Sequence, residues 1–280
     1  MNIKILSDST CDLPKELVEK HNIGIIPLVV VKDGEQYADG VNITPDDIFS
    51  HVAAGGALCS TAAKNISDYE EVFKQYAPHY DGVVHINIGS GFSSCHQNAC
   101  LASEEFENVV CIDSANLSAG QGLVVLKACE LAKTCNSLSE IKEQLDAFTP
   151  KVETSFLLDR LDYMVKGGRC SAAAALGANL LGLKPCIEVK NGKMGVVKKY
   201  RGNYSKSLAM YVKERIGNRD DVDRGTLFVT HTPVNPECST SVADAVAQCD
   251  QFDNTYWVQA GSTVSCHCGP GTLGVIFVRK

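Results

Sequence analysis

The sequence predicts a two-domain α/β protein, with a parallel-sheet α/β domain over residues 1–152 and an α+β domain over residues 153–280. Before residue 150, apolar runs alternate with helix-forming segments, which is typical of a parallel sheet covered by helices on both faces. After residue 150, apolar runs outnumber helical segments and are joined by hairpin turns, which indicates a mixed or antiparallel sheet. The cleft between two such domains is the usual place for a ligand.

The first domain begins with a strand at residues 2–7, and Pro14 suits the first turn of the helix that follows. The apolar run at residues 24–31 predicts one second strand. Thr44 is a good N-cap and is followed by a proline and two aspartates, so we expect a helix through about Ala53.

The rest of the first domain continues the alternation of strands and helices. Ser67 and Glu70 have the spacing of a capping box, which predicts a helix start at this point. Apolar runs predict strands at residues 83–88 and 109–112. Helical patterns cover residues 93–107, 119–134 and 137–148.

Hydroxyl-rich turns follow three predicted strands of this domain. They comprise Ser7–Thr10, Gly89–Ser94 and Asp113–Ser118. Parallel strands that end in this way place their turns along one edge of the sheet, where ligands of α/β proteins bind. Helix N-termini at that edge add free N–H groups and a partial positive charge. The sequence therefore predicts a site for a small anion, built from hydroxyls and amides with few fixed charges.

The second domain contains six strand-like runs and two or three helices. The strands are predicted at residues 153–158, 184–190, 194–198, 226–231, 254–259 and 273–279. The helices are predicted at residues 171–182, 204–217 and 236–249. Asn191 and Gly192 between two of the strands are a strong signal for a hairpin.

Composition and charge exclude several classes of protein. With 45% apolar and 21% charged residues, the chain has the composition of a globular, soluble protein. No apolar stretch approaches the roughly 18 residues that a membrane span needs, and the first residues lack the pattern of a signal peptide. We therefore expect a cytoplasmic protein without an integral membrane segment. A net charge of −7 argues against nucleic acid as a partner.

The thirteen cysteines do not form a disulfide pattern, because their number is odd and C-x-x-C spacing is absent from the sequence. Residues such as Cys100 and Cys111 lie within apolar or helical patterns, where free cysteine acts as a small hydrophobe. If Cys266, His267 and Cys268 lie on a strand, the two thiols point to one face and the imidazole to the other. A second cysteine pair that would complete a tetrahedral site is missing, so we expect no metal.

Two motifs leave enzyme and nucleotide-binding alternatives open. Gly89–Ser94 resembles a dinucleotide fingerprint with Asp113 in the place of the ribose-binding acid, but its third glycine is replaced by serine. The plain alternative is a turn in which Ser93 caps a helix. Ser93 also lies in half of a G-x-S-x-G elbow, with His267 as a possible base, although the sequence places no acid to orient that histidine.

The segment after residue 165 carries two further ambiguous motifs. Lys166-Gly167-Gly168-Arg169 either presents Arg169 to a phosphate or acidic partner, or ends a helix whose dipole the basic residues complement. The helical segment 171–182 is rich in alanine and glycine. Such small side chains leave room for an apolar ligand or, as the pattern favours, allow two elements to pack closely.

These landmarks together resemble the DegV family of fatty-acid-binding proteins, and the resemblance runs along nearly the whole chain in the order of the family. The segments that carry it are Ser7–Pro14, Gly89–Ala99, Asp113-Ser114, Lys166–Arg169, Lys184-Pro185 and His267–Gly274. The resemblance implies that one long-chain fatty acid is bound between the two domains. It also implies that the carboxylate is presented to a separate fatty acid kinase, whose product feeds phospholipid synthesis.

By the same resemblance, Thr61 and Ser93 hydrogen-bond the carboxylate and His267 lies close to it. Arg169 and Arg201 are candidates for contact with the kinase or with phosphate. Two segments depart from the family pattern: Thr61–Asn65 retains only its threonine, and Phe92–Gln97 retains its serine within altered surroundings.

We therefore expect a non-catalytic lipid carrier without a cofactor, whose ligand is a fatty acid and whose partner is a kinase. The alternatives are a serine-dependent esterase that uses Ser93 and His267 and, less favoured, a nucleotide-binding protein that uses the turn at Gly89.

Overall fold

The structure, a computed structural model, describes residues 1–175, 182–249 and 251–280. Its strands are β1 (Ile3–Asp8), β2 (Gly24–Ile26), β3 (Val29–Lys32), β4 (Glu35–Ala38), β5 (Ser60–Ala62), β6 (Gly82–Asn87), β7 (Val109–Asp113), β8 (Val152–Leu157), β9 (Leu183–Lys190), β10 (Lys193–Arg201), β11 (Thr226–His231), β12 (Asn254–Gln259) and β13 (Leu273–Val278). Its α-helices are α1 (Lys15–Lys20), α2 (Pro45–Ala53), α3 (Ile66–Tyr76), α4 (Cys95–Ser103), α5 (Ala119–Leu131), α6 (Leu138–Phe148), α7 (Asp162–Gly167), α8 (Ser171–Ala174), α9 (Tyr204–Ile216), α10 (Pro236–Ala247) and α11 (Ser262–Cys268).

The N-terminal sheet is parallel and has the strand order β2-β1-β6-β7. Every residue of β6 is buried, as expected for a central strand that helices cover on both faces. The strands β1, β6 and β7 are neighbours, so the three hydroxyl-rich turns lie along one edge of the sheet. The predicted common edge is therefore confirmed.

The C-terminal sheet is mixed and has the order β10-β9-β8-β13-β11-β12, in which only β11 and β12 pair in parallel. Asn191 and Gly192 both have positive φ, at 50° and 69°. This backbone matches the type I′ turn that Asn-Gly favours, and the predicted hairpin between β9 and β10 is confirmed.

Helix α5 lies between the two sheets and packs against β1 and β6 on one side and β8 and β13 on the other. Ten of its thirteen residues are buried, and most are small or aliphatic. Burial all around the helix explains why the sequence lacks the polar face of a surface helix. The hydrophobic cluster around α5 accordingly joins residues of both halves, such as Ile86 from β6 and Ile276 from β13.

Several predicted boundaries are wrong for identifiable reasons. Residues 24–31 form two strands, because Pro27 has no N–H for a sheet ladder. Of these, β2 joins the parallel sheet, whereas β3 pairs with β4 and β5 in a small antiparallel sheet that the sequence did not predict. The capping box of α3 is formed by Asn65 and Asp68 rather than by Ser67 and Glu70.

The segment with Cys266, His267 and Cys268 forms part of the short helix α11, so the expectation of a strand there is wrong. The predicted helix over residues 171–182 is present as α8 at its start, and residues 176–181 lie outside the described residues. We propose that the domains are 1–152 and 153–280, with the division at the start of β8. Within the described ranges, no helix has the length and apolar character needed to cross a membrane.

Candidate functional site

A cavity of about 210 Å³ opens at the carboxyl edge of the parallel sheet, between β5, the turn after β6, β10 and α11. Its walls are largely apolar and include Leu28, Ile88, Phe92, Leu117, Met194 and Val264. The structure brings four of the five predicted site residues to this cavity: Thr61, Ser93, Arg169 and His267. The fifth, Arg201, is exposed at the end of β10 and is not among the lining residues.

Thr61 and His267 meet through a hydrogen bond of 2.8 Å between Oγ1 and Nε2. Thr61 is held by β5, where it pairs with Val30 of β3, and His267 is held by α11. Burial and the positive charge of Arg169 lower the pKa of His267 to about 4, so its imidazole is neutral at physiological pH. The contact is therefore one between a neutral ring and a hydroxyl.

The other ring nitrogen of His267 fixes the direction of this hydrogen bond. Nδ1 is buried without a protein partner among the described residues and faces Gly167, where an added Cβ would lie 2.3 Å away. An unpaired lone pair at Nδ1 costs less than an unpaired buried N–H. We therefore assign the proton to Nε2, which donates to Thr61 Oγ1. The hydroxyl proton of Thr61 then remains available to an acceptor in the cavity.

Ser93 presents its hydroxyl in the same way from the turn before α4. Its Oγ accepts from the backbone N–H of Cys95 at 3.2 Å and lies 3.1 Å from the sulfur of that residue. A thiol sulfur is a weak acceptor, so a carboxylate oxygen competes for the Ser93 proton on favourable terms. Both Thr61 and Ser93 thus accept from the protein and can donate to a ligand.

Two buried carboxylates hold α11 in place. The carboxylate of Asp12 accepts from the Gly261 N–H at 2.9 Å, and that of Asp39 accepts from the Ser262 N–H at 2.8 Å. Ser118 also donates to Asp12, and burial raises the pKa of Asp12 to about 8. Asp12 and Asp39 thus lie behind α11 and outside the cavity lining, and the raised pKa of Asp12 favours its neutral form at pH 7.

The charge of the cavity itself is positive. Among the described residues that line it, Arg169 is the only one with a formal charge, since His267 is neutral. Arg169 is exposed and its Nη1 donates to the Gly167 carbonyl at 2.6 Å. Gly168 ends α7 in the left-handed conformation, with φ of 69°. The motif therefore ends α7 and also places Arg169 among the residues that line the cavity, whereas contact of Arg169 with a phosphate or an acidic partner stays a prediction.

Sequence reasoning missed one polar residue of the site, Thr263. Its hydroxyl is buried, lines the cavity and has no protein partner among the described residues. Thr263 lies four residues before His267 on α11, which places both side chains on one helix face. The assumption of a strand hid this i, i+4 relationship.

A second cavity of about 30 Å³ lies next to the first, with which it shares the lining residues Leu117, Val264 and Cys268. Strands β8, β11 and β13 form its floor, and the exposed surface of its lining is mostly apolar. The Thr230 hydroxyl lies in this second cavity and has no protein partner within the described chain. The second cavity therefore lies on the side of the first that faces the C-terminal sheet.

The geometry does not support the esterase alternative. Ser93 and His267 line the same cavity, but Nε2 of His267 bonds to Thr61, and in the described chain no acid contacts its Nδ1. Serine hydrolysis requires a base on the nucleophile and an acid that orients the base. Neither contact is present among the described residues.

The nucleotide alternative is not supported either. The side of the turn where Gly91 lies is covered by the β9–β10 hairpin, and a Cβ at Gly91 would lie 2.1 Å from the Gly192 carbonyl oxygen. Asp113 accepts from the backbone N–H groups of Ser90 and Ala115, at 3.0 Å and 2.8 Å. It therefore ties two turns together at the place where a ribose-binding acid would face a ligand.

The fold and the site define a class of protein: two α/β halves that enclose an apolar cavity whose mouth carries hydroxyls and one arginine. Residues 2–280 match the family model described as "Uncharacterised protein, DegV family". A DegV domain-containing protein of Clostridium perfringens is 35% identical to this chain over 284 residues, which cover 99% of each protein. The chain belongs to the DegV family, and the predicted resemblance is confirmed.

Solved structures of similar proteins confirm the two-part α/β fold. A DegV family protein from Thermus thermophilus, described for its fatty acid binding, matches all of both chains with a TM-score of 0.89 and 26% identity. A stearic acid-binding protein from Eubacterium ventriosum matches 99% of this chain and 98% of its own, with a TM-score of 0.83 and 28% identity. Both of these similar proteins are described as binding a fatty acid.

Proposed function

We propose that this protein binds one long-chain fatty acid, with the carboxylate at Thr61 and Ser93 and the alkyl chain along the apolar walls toward the second cavity. The observation that carries the proposal is the state of the two hydroxyls. In the assigned tautomer of His267, the Thr61 hydroxyl accepts from Nε2 and keeps its proton for an acceptor in the cavity. The Ser93 hydroxyl accepts from the Cys95 N–H, and its proton is engaged only by the Cys95 sulfur, which is a weak acceptor. The fatty acids bound by similar proteins support the same ligand class.

The alkyl chain supplies most of the affinity in this proposal. Each buried methylene contributes roughly 0.8 kcal/mol, so ~15 of them contribute on the order of 12 kcal/mol before the costs of association. Hydrogen bonds to the carboxylate contribute about 1.5–3 kcal/mol each. Their main effect is to fix the register of the chain and to hold the headgroup at the mouth.

We further propose that the protein is a cytoplasmic, non-catalytic carrier that needs no cofactor and presents the carboxylate to a separate fatty acid kinase. A carboxylate held by neutral hydroxyls, rather than by a bidentate arginine, retains its nucleophilicity for attack on a γ-phosphate. Arg169 at the mouth and the exposed Arg201 are the candidate contacts for the phosphate or the kinase. Arginine suits both tasks because its planar fork matches phosphate and carboxylate geometry.

Lipid extraction under denaturing conditions, followed by mass spectrometry, tests the proposal. We expect one fatty acid per chain in the wild-type protein and strong depletion in the Thr61→Ala/Ser93→Ala double variant. A matched control, Thr134→Ala/Ser239→Ala, removes two hydroxyls that do not line the cavity and leaves the lipid content unchanged. A lipid-free wild-type protein that also takes up neither oleate nor palmitate would contradict the proposal.

A further inference from the structure

The residues of α11 that line the first cavity form a polar stripe and an apolar stripe. Thr263 and His267 occupy positions i and i+4 of the helix, and so do Val264 and Cys268. All four residues line the first cavity, but of these four only Val264 and Cys268 also line the second cavity. The apolar stripe therefore follows the path proposed for the alkyl chain, whereas the polar stripe lies beside the proposed carboxylate site.

The hydrogen bonds around the carboxylate site leave one buried hydroxyl without a partner. In the proposed complex Thr61 and Ser93 donate to the carboxylate, and Nε2 of His267 is occupied by its contact with Thr61. Arg169 is exposed and donates to a backbone carbonyl. Thr263 is only 6% exposed, and its Oγ1 is buried without a protein partner among the described residues. This hydroxyl thus lacks even a bond to a backbone carbonyl, which is a common partner of threonine in a helix.

A threonine at this position is suited to a ligand oxygen rather than to a methylene group. A buried hydroxyl without a partner opposes folding, whereas a valine of nearly the same shape would line the cavity without that cost. Threonine has two favoured rotamers in a helix, so its hydroxyl and its methyl group can exchange places while the wall keeps its shape. The Thr263 hydroxyl can therefore turn toward a polar group of the ligand.

The position of Thr263 indicates which carbon of the ligand carries this polar group. Side chains at positions i and i+4 are about 5–6 Å apart at their Cβ atoms, so Thr263 lies roughly that far from His267, to which Thr61 is bonded. A hydroxyl on the second carbon stays within hydrogen-bonding distance of the carboxylate itself. A hydroxyl on the third carbon extends farther from the carboxylate and still precedes the part of the chain that passes Val264. The spacing therefore fits a 3-hydroxyl group.

We propose, on the basis of the function proposed above, that the preferred ligand is a 3-hydroxy fatty acid whose 3-hydroxyl group is bound by Thr263. Both hydroxyls can donate and accept, so the hydrogen bond forms in either direction. Thr61 and Ser93 bind the carboxylate as before, and Thr263 determines the specificity for the oxygenated chain.

Calorimetric titration of the delipidated full chain tests the preference. The ligands are palmitate, 2-hydroxypalmitate and the two separate enantiomers of 3-hydroxypalmitate. We expect the better-bound enantiomer of 3-hydroxypalmitate to have a Kd roughly five-fold lower than that of palmitate, because one hydrogen bond between neutral groups is added. The Kd of 2-hydroxypalmitate should decrease less, because its hydroxyl remains beside the carboxylate.

Substitutions of Thr263 test the role of its hydroxyl. In Thr263→Val the 3-hydroxyl is buried without a partner, so the ratio of the palmitate Kd to the 3-hydroxypalmitate Kd falls roughly ten-fold. Thr263→Ser keeps the hydroxyl and retains the preference. The matched control is Thr149→Val, because Thr149 is 7% exposed, has an Oγ1 without a protein partner in the described chain and lines neither cavity. In this control the ratio stays at the wild-type value.

The outcomes separate this proposal from the more general one. Wild-type protein that binds palmitate at least as tightly as both enantiomers of 3-hydroxypalmitate would overturn the preference and leave the proposed fatty-acid binding intact. An unchanged ratio in Thr263→Val, or an equal decrease in Thr149→Val, would overturn the role of Thr263. Wild-type protein that binds none of these acids would contradict the proposed function as well. If Thr263→Val does not fold, the comparison of ligands in the wild-type protein decides the matter.

Discussion

Replacement of Thr61 by valine is the sharpest perturbation of the proposed carboxylate site. Valine has nearly the shape of threonine, so the change removes Oγ1 and leaves the wall of the cavity intact. That oxygen accepts from His267 at 2.8 Å and, in the proposed complex, donates to the ligand. A hydrogen bond to a charged group contributes about 1.5–3 kcal/mol. We therefore expect the Kd for palmitate to rise roughly 10- to 150-fold.

Calorimetric titration with delipidated protein measures this effect, and the methyl ester of the same fatty acid serves as the control ligand. Because the ester carries no charge, its Kd changes much less in Thr61→Val. Thr61→Ser keeps the hydroxyl and binds palmitate nearly as the wild type does. Palmitate affinity in Thr61→Val within two-fold of the wild type would refute the assignment of this hydroxyl to the ligand.

Three further predictions concern pH, packing and the deep cavity. The pKa of His267 is about 4 in the folded state and near 6.5 in the unfolded chain. Between these pH values the unfolded chain binds more protons than the folded protein does. The free energy of unfolding therefore falls by about 3 kcal/mol from pH 6.5 to pH 4. Urea titrations across this pH range measure the free energy of unfolding, and in His267→Gln the decrease that is due to the histidine is absent. Gly91→Ala forces a Cβ to within 2.1 Å of the Gly192 carbonyl oxygen, which lowers the free energy of unfolding by about 1–3 kcal/mol. The control Gly195→Ala changes the free energy of unfolding little, because the space around a Cβ at that position is open. Thr230→Val removes a buried hydroxyl that has no protein partner among the described residues, so the Tm of the variant should rise. A lower Tm would contradict this expectation.

Much of the fold follows from local signals in the sequence. Strands β11 and β12 have the predicted bounds. Both are rich in the β-branched and aromatic residues that favour strands. The Asn-Gly hairpin follows from the positive φ angles that these two residues favour. The start of α2 follows from the Thr44 side chain, which accepts a hydrogen bond from the Asp47 N–H. In contrast, β3 and β5 are short, and their pairing depends on contacts between segments far apart in the chain.

The candidate site could be predicted only in part for the same reason. Thr61, Ser93 and His267 were identified by family resemblance, and the cavity unites them. The roles of Asp12 and Asp39 were hidden, because each binds a backbone N–H more than 200 residues away.

A crystal structure of the protein with palmitate would show where the carboxylate binds. We expect the carboxylate oxygens within hydrogen-bonding distance of Thr61 Oγ1 and Ser93 Oγ, with the alkyl chain passing Leu117 and Val264 toward the second cavity. A carboxylate paired with Arg169 or Arg201 and out of reach of both hydroxyls would contradict it, as would an alkyl chain that lies outside the two cavities.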